Sequence, residues 1–358
     1  GERGAALCVQ VAGETVVDLW AGPADKDGQE MWQEDTLLNL FSCTKTFAAV
    51  ATLQLVGEGK LELDAPVARY WPEFAAAGKE RITVRQLLCH QAGLPAIRAS
   101  LPGEALYDWQ AAMCAALAAE EPWWTPGTAH GYAPITFGWL IGELLRRVEG
   151  RGPGEVIVAR TARPLGLDFH IGLDDAEFHR VAHIARGKGP VGDEAAQRLL
   201  RTIMREPQSL TTRAFTNPPS VLTSTNRPEW RRMQQPAANG HGNARSLAGF
   251  YTGLLEGRLL EPELLAELTR EHCRGEDRTL LTSTRFGLGC MLDQPGVANA
   301  TYGLGPGTFG HPGAGGSVGC ADPQRELSFG FVTNTLGPYV LMDPRAQRLA
   351  RVVIACLA

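Results

Sequence analysis

Lysine is the scarcest charge in this chain: 358 residues hold 5 lysines against 29 arginines. No run of basic residues occurs, acidic and basic residues are mixed, and the formal net charge is −5, so nucleic acid is not expected as a partner. No apolar stretch is long enough to span a bilayer, so no membrane partner is expected either. The eight cysteines (8, 43, 89, 114, 273, 290, 320 and 356) include no Cys-x-x-Cys pair and fall mostly in apolar stretches. That pattern excludes a zinc ribbon or a disulfide frame and predicts buried thiols in a reducing, cytoplasmic compartment. No signal peptide is read, although the chain opens on Gly1 rather than Met, which leaves a lost leader open. Repeats and low-complexity segments are absent as well.

Scarcity makes one spacing informative. Serine is also rare, with 9 in the chain, and about 0.13 Ser-x-x-Lys pairs are expected by chance. Ser42 and Lys45 form such a pair at the head of an apolar segment, Phe47 to Val56, in which only Thr52 and Gln54 are polar. The composition predicts a helix buried nearly all round and stopped by Gly57 and Gly59. Residues i and i+3 share a helix face, so the two side chains meet. Burial and the positive end of the helix dipole both disfavour an ammonium in the first turn. A neutral amine beside Ser42 is able to take the hydroxyl proton. The plainer alternative is a serine N-cap followed by a snorkelling lysine.

The rest of the chain reads as strands at both ends with helices between them. Residues 5–20 predict a hairpin turning at Gly13-Glu14. Short helices are expected at 67–70 and from 82, longer ones at 104–119, 135–148 and 246–257, and a final amphipathic helix at 343–357. Residues 150–240, with many Pro and charged residues, read as loop-rich. Strands are expected at 286–292, 316–321 and 327–333, the last two joined by a turn at Asp322-Pro323-Gln324-Arg325. The fold class is therefore α+β: a mixed, mainly antiparallel sheet from both chain ends, flanked by helices. The expected domains are 1–65 with 242–358 as the α/β sandwich, and 66–241 as a mainly helical insert.

Further candidates lie in loops. Tyr132, between Gly127 and Pro134 and just before a helix, offers a phenol for proton transfer, although a tyrosine there more often packs. His311-Pro312-Gly313-Ala314-Gly315-Gly316-Ser317 precedes an expected strand; its glycines permit exposed N–H groups suited to an oxyanion hole, and His311 is a candidate donor to a substrate carbonyl or carboxylate. Gly315-Gly316-Ser317-Val318-Gly319 matches Gly-x-Ser-x-Gly, but that elbow needs a strand before it and a helix after it, whereas a Gly/Pro loop precedes it here and a strand, a turn and a strand follow. His179 and His183 have metal-ligand spacing with no third ligand, so no metal is expected. Trp109, Trp123, Trp124 and Trp139 are candidate core or acyl-pocket residues.

Taken in order, Ser42-x-x-Lys45, Tyr132-Ala133-Pro134 and His311-Pro312-Gly313 resemble the three motifs of serine β-lactamases and penicillin-binding proteins. The likeness is greatest to the class C β-lactamase-like esterases, the family VIII carboxylesterases. Supporting segments are Ile82 to Pro95, Trp124-Thr-Pro-Gly127 and Gly310 to Ser317, so it covers nearly the whole chain. The resemblance implies a β-lactamase/transpeptidase-like fold, a small-molecule ester as substrate and no cofactor. It implies Ser42 as nucleophile, Lys45 and Tyr132 as its proton-transfer partners, His311 and Gly313 in the substrate-binding third motif, and the amides of Ser42 and Ala314 as oxyanion hole. Whether Lys45 or Tyr132 is the base stays open. Pro134 stands where the lactamases have Asn, and His311 where they have Lys; both departures point to uncharged esters rather than β-lactams. A β-lactamase, a D-amino-acid peptidase and an acyltransferase are the alternatives.

Overall fold

The structure, a computed structural model, describes residues 3–187, 192–219 and 224–357. Eight strands form the main sheet: β1 (Ala5–Val11), β2 (Glu14–Ala21), β3 (Cys273–Glu276), β4 (Ser283–Phe286), β5 (Met291–Leu292), β6 (Phe309–Pro312), β7 (Val318–Asp322) and β8 (Leu327–Thr333). Their spatial order is β2-β1-β8-β7-β6-β5-β4-β3. Every neighbouring pair in this sheet is antiparallel. β1 and β8 pair along seven residues, from Ala5 opposite Thr333 to Val11 opposite Leu327, so early and late chain lie side by side as expected. Parallel pairing is confined to short pieces outside the sheet, such as 335–336 against 185–186.

The helices of twelve residues or more are α1 (Thr44–Gly57), α2 (Thr136–Glu149), α3 (Glu194–Arg205), α4 (Ala244–Leu255) and α5 (Pro344–Leu357). All seven residues of β8 are buried, because a helix covers each face. Side chains alternate along a strand. Ser328, Gly330 and Val332 face α4: Ser328 hydrogen-bonds Thr252, and a β carbon on Gly330 would strike the Ala244 carbonyl. Leu327, Phe329 and Phe331 pack in a second core with Ala346, Ala350 and Val353 of α5. α1 is buried from Thr44 to Leu53, and the Phe47 ring is stacked between Phe169 and Phe250, with centroids 3.9 and 3.7 Å away. No helix among the described residues is long and apolar enough to cross a membrane. Seven of the cysteines are buried and unpaired; Cys356 is exposed.

Four segments differ from the sequence expectation. The helix expected over 104–119 is three pieces, Gly103–Tyr107, Trp109–Cys114 and Ala115–Ala119. Asp108 breaks it by adopting an extended backbone and using its carboxylate to accept from the Ala111 amide. The loop-rich stretch contains α3, a run free of Gly and Pro whose start is capped by Asp193 accepting from Ala196 N–H. The strand expected over 286–292 is broken by a turn at 287–290, with Gly289 at φ +67°. The segment of β6 was read as a Gly/Pro loop before a strand; β6 carries His311 and Pro312 into the sheet itself.

Candidate active site

Ser42 sits in a single 3-10 turn, Phe41–Cys43, that feeds directly into α1. The residue before it, Phe41, has φ +48°, a left-handed backbone that a bulky side chain rarely adopts. Thr44 holds this turn: its hydroxyl donates to the Phe41 carbonyl (2.6 Å) and accepts from Gly240 N–H (3.0 Å). The Cys43 thiol donates to the His311 carbonyl (3.2 Å), tying the turn to β6. No side chain caps α1, so Ser42 is not an N-cap and the plainer alternative does not hold.

Lys45 is completely buried, with no snorkelling route to water. Its Nζ lies 3.2 Å from Ser42 Oγ and donates to the carbonyls of Pro134 (2.8 Å) and Ala237 (3.0 Å). Gln235 arranges the second of these: its side-chain oxygen accepts from Ala237 N–H while its amide donates to the Ile135 carbonyl. Burial pushes Lys45 well below its ordinary value of 10.5. A neutral amine has two N–H groups, which the two carbonyls satisfy, and a lone pair left facing Ser42.

The Tyr132 hydroxyl donates to Ser42 Oγ at 2.6 Å. Its ring is stacked on Phe286 (6.0 Å, 4° between planes) and meets the edge of His90 (5.0 Å). Burial holds the phenol above its ordinary 10, against the pull of the Ser42 hydrogen bond. Ser42 and Lys45, from one segment, and Tyr132, from another ninety residues on, therefore form one hydrogen-bonded cluster.

His311 is 1% exposed and its ring centroid is 5.8 Å from that of Tyr132. Its Nδ1 lies 2.8 Å from the Pro312 carbonyl, which only accepts, so the proton is on Nδ1. Burial, and then the nearby Lys45, hold the ring down to about 3. Nε2 is therefore a buried acceptor with no partner among the described residues, and not the donor that the sequence suggested. Gly313 N–H donates to the Ser317 carbonyl (2.7 Å), and a β carbon there would lie 2.5 Å from the Leu40 carbonyl and 3.3 Å from Cys43 Sγ. That close approach brings Ala314 to an exposed tip beside the nucleophile turn, with no partner for its N–H among the described residues.

The decoy serine is elsewhere. Ser317 is 2% exposed and its hydroxyl accepts from Thr333 N–H (3.3 Å), with strand β7 following it. His179 lies in the last turn of a 3-10 segment, Asp175–Arg180, and bonds the Ala176 carbonyl, while His183 lies beyond it, 3.3 Å from the Asn226 side chain. Of the tryptophans, Trp139 is core, Trp123 stacks under Arg98, and Trp124 backs Gly131 beside Tyr132.

Sequence reasoning missed Gln235, Ala237, His90 and Asp277. Ala237 acts through its backbone oxygen, which leaves no signature in residue type. Asp277, whose carboxylate accepts from Tyr132 N–H, stands in Glu276-Asp277-Arg278, which resembles any charged turn.

The profile of the protein family described as Beta-lactamase matches residues 1–353. The chain is 35% identical over 353 residues to the esterase/beta-lactamase LipL of Mycobacterium tuberculosis, a match covering 95% of this chain and 79% of LipL. Among solved structures it superimposes with a TM-score of 0.88 and 39% identity on a penicillin-binding protein homolog from Caulobacter crescentus, covering 99% of this chain and 93% of that one. A family VIII carboxylesterase gives a TM-score of 0.86 and 36% identity, with the same coverage of both chains.

Proposed function

Since this chain belongs to the Beta-lactamase family, we propose that it is a serine carboxylesterase working on small apolar esters through an acyl-enzyme on Ser42. The observation that carries this reading is the placement of Lys45 Nζ, with two backbone carbonyls taking its N–H groups and Ser42 Oγ at the remaining position. Ser42 Oγ attacks the ester carbonyl as its proton passes to the Lys45 amine. The carbonyl oxygen takes up the electron pair and is held by the amides of Ser42 and Ala314. Collapse breaks the bond to the leaving alkoxide, which recovers the proton from Lys45 through the Tyr132 hydroxyl. Water then attacks the acyl-enzyme, gives its proton to the same pair, and releases the acid and free Ser42. No metal or organic cofactor is needed for these steps.

Tyr132 is the proton carrier and Lys45 the base, because the phenol already donates to Ser42 and burial keeps it protonated. The preference for uncharged esters rests on two positions. Pro134 offers no side-chain amide, and His311 supplies a neutral ring where a cation would draw in a carboxylate. The family VIII carboxylesterase is an esterase by name and LipL an esterase/beta-lactamase, which supports ester hydrolysis. The buried, unpaired thiols support a reducing, cytoplasmic setting.

The test pairs p-nitrophenyl butyrate with nitrocefin on wild type and Ser42→Ala. Ester turnover that vanishes in Ser42→Ala, with little nitrocefin turnover, is the expected result. Nitrocefin turnover exceeding ester turnover overturns it in favour of a β-lactamase, and transfer to an added alcohol in preference to water would make the enzyme an acyltransferase.

A further inference from the structure

Asp277 is a completely buried carboxylate outside the Ser42–Lys45–Tyr132 cluster. It opens the turn between β3 and β4, at the edge of the sheet. Tyr132 N–H lies 3.0 Å from each of its oxygens. Thr279 N–H and Leu280 N–H both donate to Oδ1 at 2.8 Å, and the Thr284 hydroxyl donates to Oδ2 at 3.1 Å. Three of these four donors are peptide N–H groups, which cannot accept, so an acceptor-only carboxylate is the form that fits them. Thr284 has spent its one proton, so its oxygen accepts from His130 Nε2 at 2.8 Å.

The same turn grips the Tyr132 loop a second time, where Arg278 N–H donates to the His130 carbonyl (3.2 Å). His90 secures the loop from the other side: its carbonyl accepts from Gly131 N–H (3.1 Å) and its Nδ1 from Ala133 N–H (3.3 Å). Four consecutive residues, 130 to 133, are thus fixed through their backbones. Asp277 is the charged member of this set. Burying a carboxylate is costly, and capping the turn at Thr279 and Leu280 asks for no more than an asparagine. What the charge adds is the shared bond to Tyr132.

We propose that Asp277 is the positioning residue of Tyr132: by drawing the Tyr132 amide onto its carboxylate it holds the phenol hydroxyl at hydrogen-bond distance from Ser42 Oγ. This rests on the reading of Tyr132 as proton carrier. In Asp277→Asn the amide oxygen takes the place of Oδ1 and still serves Thr279 and Leu280, while the NH2 group takes the place of Oδ2, so Tyr132 N–H keeps one acceptor, loses the other and faces an N–H group of like polarity.

The test compares wild type, Asp277→Asn, Tyr132→Phe and the double variant on p-nitrophenyl butyrate. Alongside, the Tyr132 signal is followed by NMR in protein carrying 13Cζ-labelled tyrosine, the assignment coming from the signal missing in Tyr132→Phe. Asp277→Asn is expected to lower kcat about tenfold to a hundredfold with KM little changed. It should shift the Tyr132 signal and leave the other five tyrosines in place, and it should add no further loss in the Tyr132→Phe background. An unmoved Tyr132 signal, or losses that simply add, overturns the proposal. A shifted signal in an enzyme for which Tyr132→Phe is as active as wild type would keep the positioning role and remove Tyr132 from the chemistry. If Asp277→Asn does not fold, Asp277→Glu, which keeps the charge but displaces the carboxylate from the Tyr132 amide by one methylene, is read by the same signal, and its failure to move overturns the proposal equally.

Discussion

The Lys45 side-chain nitrogen lies 2.8 Å from the carbonyl oxygen of Pro134. Proline at this position gives no side-chain group to a substrate, yet its backbone completes the setting of the base. The Ala237 carbonyl, 192 residues away along the chain, takes the second N–H. The arrangement leaves one direction for the lone pair, toward Ser42.

Replacing the amine while keeping the length of the side chain tests that role. Lys45→Met should lower kcat/KM for p-nitrophenyl butyrate by about 10²–10⁴, and the burst of p-nitrophenol should disappear in rapid mixing. Pro134→Ala keeps the carbonyl and should stay close to wild type. Loss of the burst in Pro134→Ala but not in Lys45→Met would reverse the assignment.

The pH–rate profile follows from the same amine. The active form of Lys45 is neutral, so kcat/KM should rise with pH as the ammonium loses its proton. Burial lowers that transition well below 10.5. The phenol of Tyr132 is raised, so no falling limb from it is expected up to pH 10. A profile that instead falls as pH rises from neutrality to 10 would contradict both placements.

The two serines of the rival motifs separate cleanly. Ser317→Ala should keep its esterase activity while losing about 1 kcal/mol of stability, because the buried Thr333 N–H loses an acceptor. Ser42→Ala should keep its stability and lose turnover. Urea titration and ester assay on both variants distinguish the cases.

Gly313 sets the spacing between β6 and the nucleophile turn. A methyl group there meets the Leu40 carbonyl, so Gly313→Ala should lower kcat about tenfold or more by displacing the turn. Gly307→Ala, where nothing lies within 4 Å of the new β carbon, is the control that should behave as wild type. Equal activity in the two variants would show that the close approach has no bearing on rate.

Acid should destabilise the fold before carboxylates titrate. Burial holds His241 and His311 down to about 3 and His90 well below 6.5. The unfolded chain therefore binds more protons than the folded one between about pH 3 and 6.5. Stability should be full above 6.5 and decline as pH drops through that window. His241→Leu should reduce proton uptake on unfolding at pH 5 by about one proton, measured from the pH dependence of urea titrations; an unchanged slope would contradict the burial of a neutral ring.

Much of this was legible in the sequence, and the reasons differ by element. The hairpin of β1 and β2 has alternation and a Gly turn, and α1 has its unbroken apolar run. Ser42, Lys45 and Tyr132 are found by side-chain type and order. β6 was hidden because Gly310, Pro312 and Gly313 resemble a loop, although Pro312 ends the strand. The helix expected over 104–119 failed at Asp108, whose carboxylate offers the backbone a competing bond. Ala237 and Asp277 were out of reach: each meets the site across more than a hundred residues, one by a carbonyl that every residue has.

The dependence of Lys45 on carbonyls from residues 134 and 237 ties reactivity to completion of the fold. Until those segments close around position 45, its amine is solvated and carries an ordinary proton, and Ser42 has no base beside it. A nascent or partly opened chain is therefore chemically silent, however exposed its serine. Appearance of the acyl-enzyme during refolding would then report the last closure of the molecule rather than the first formation of its helices.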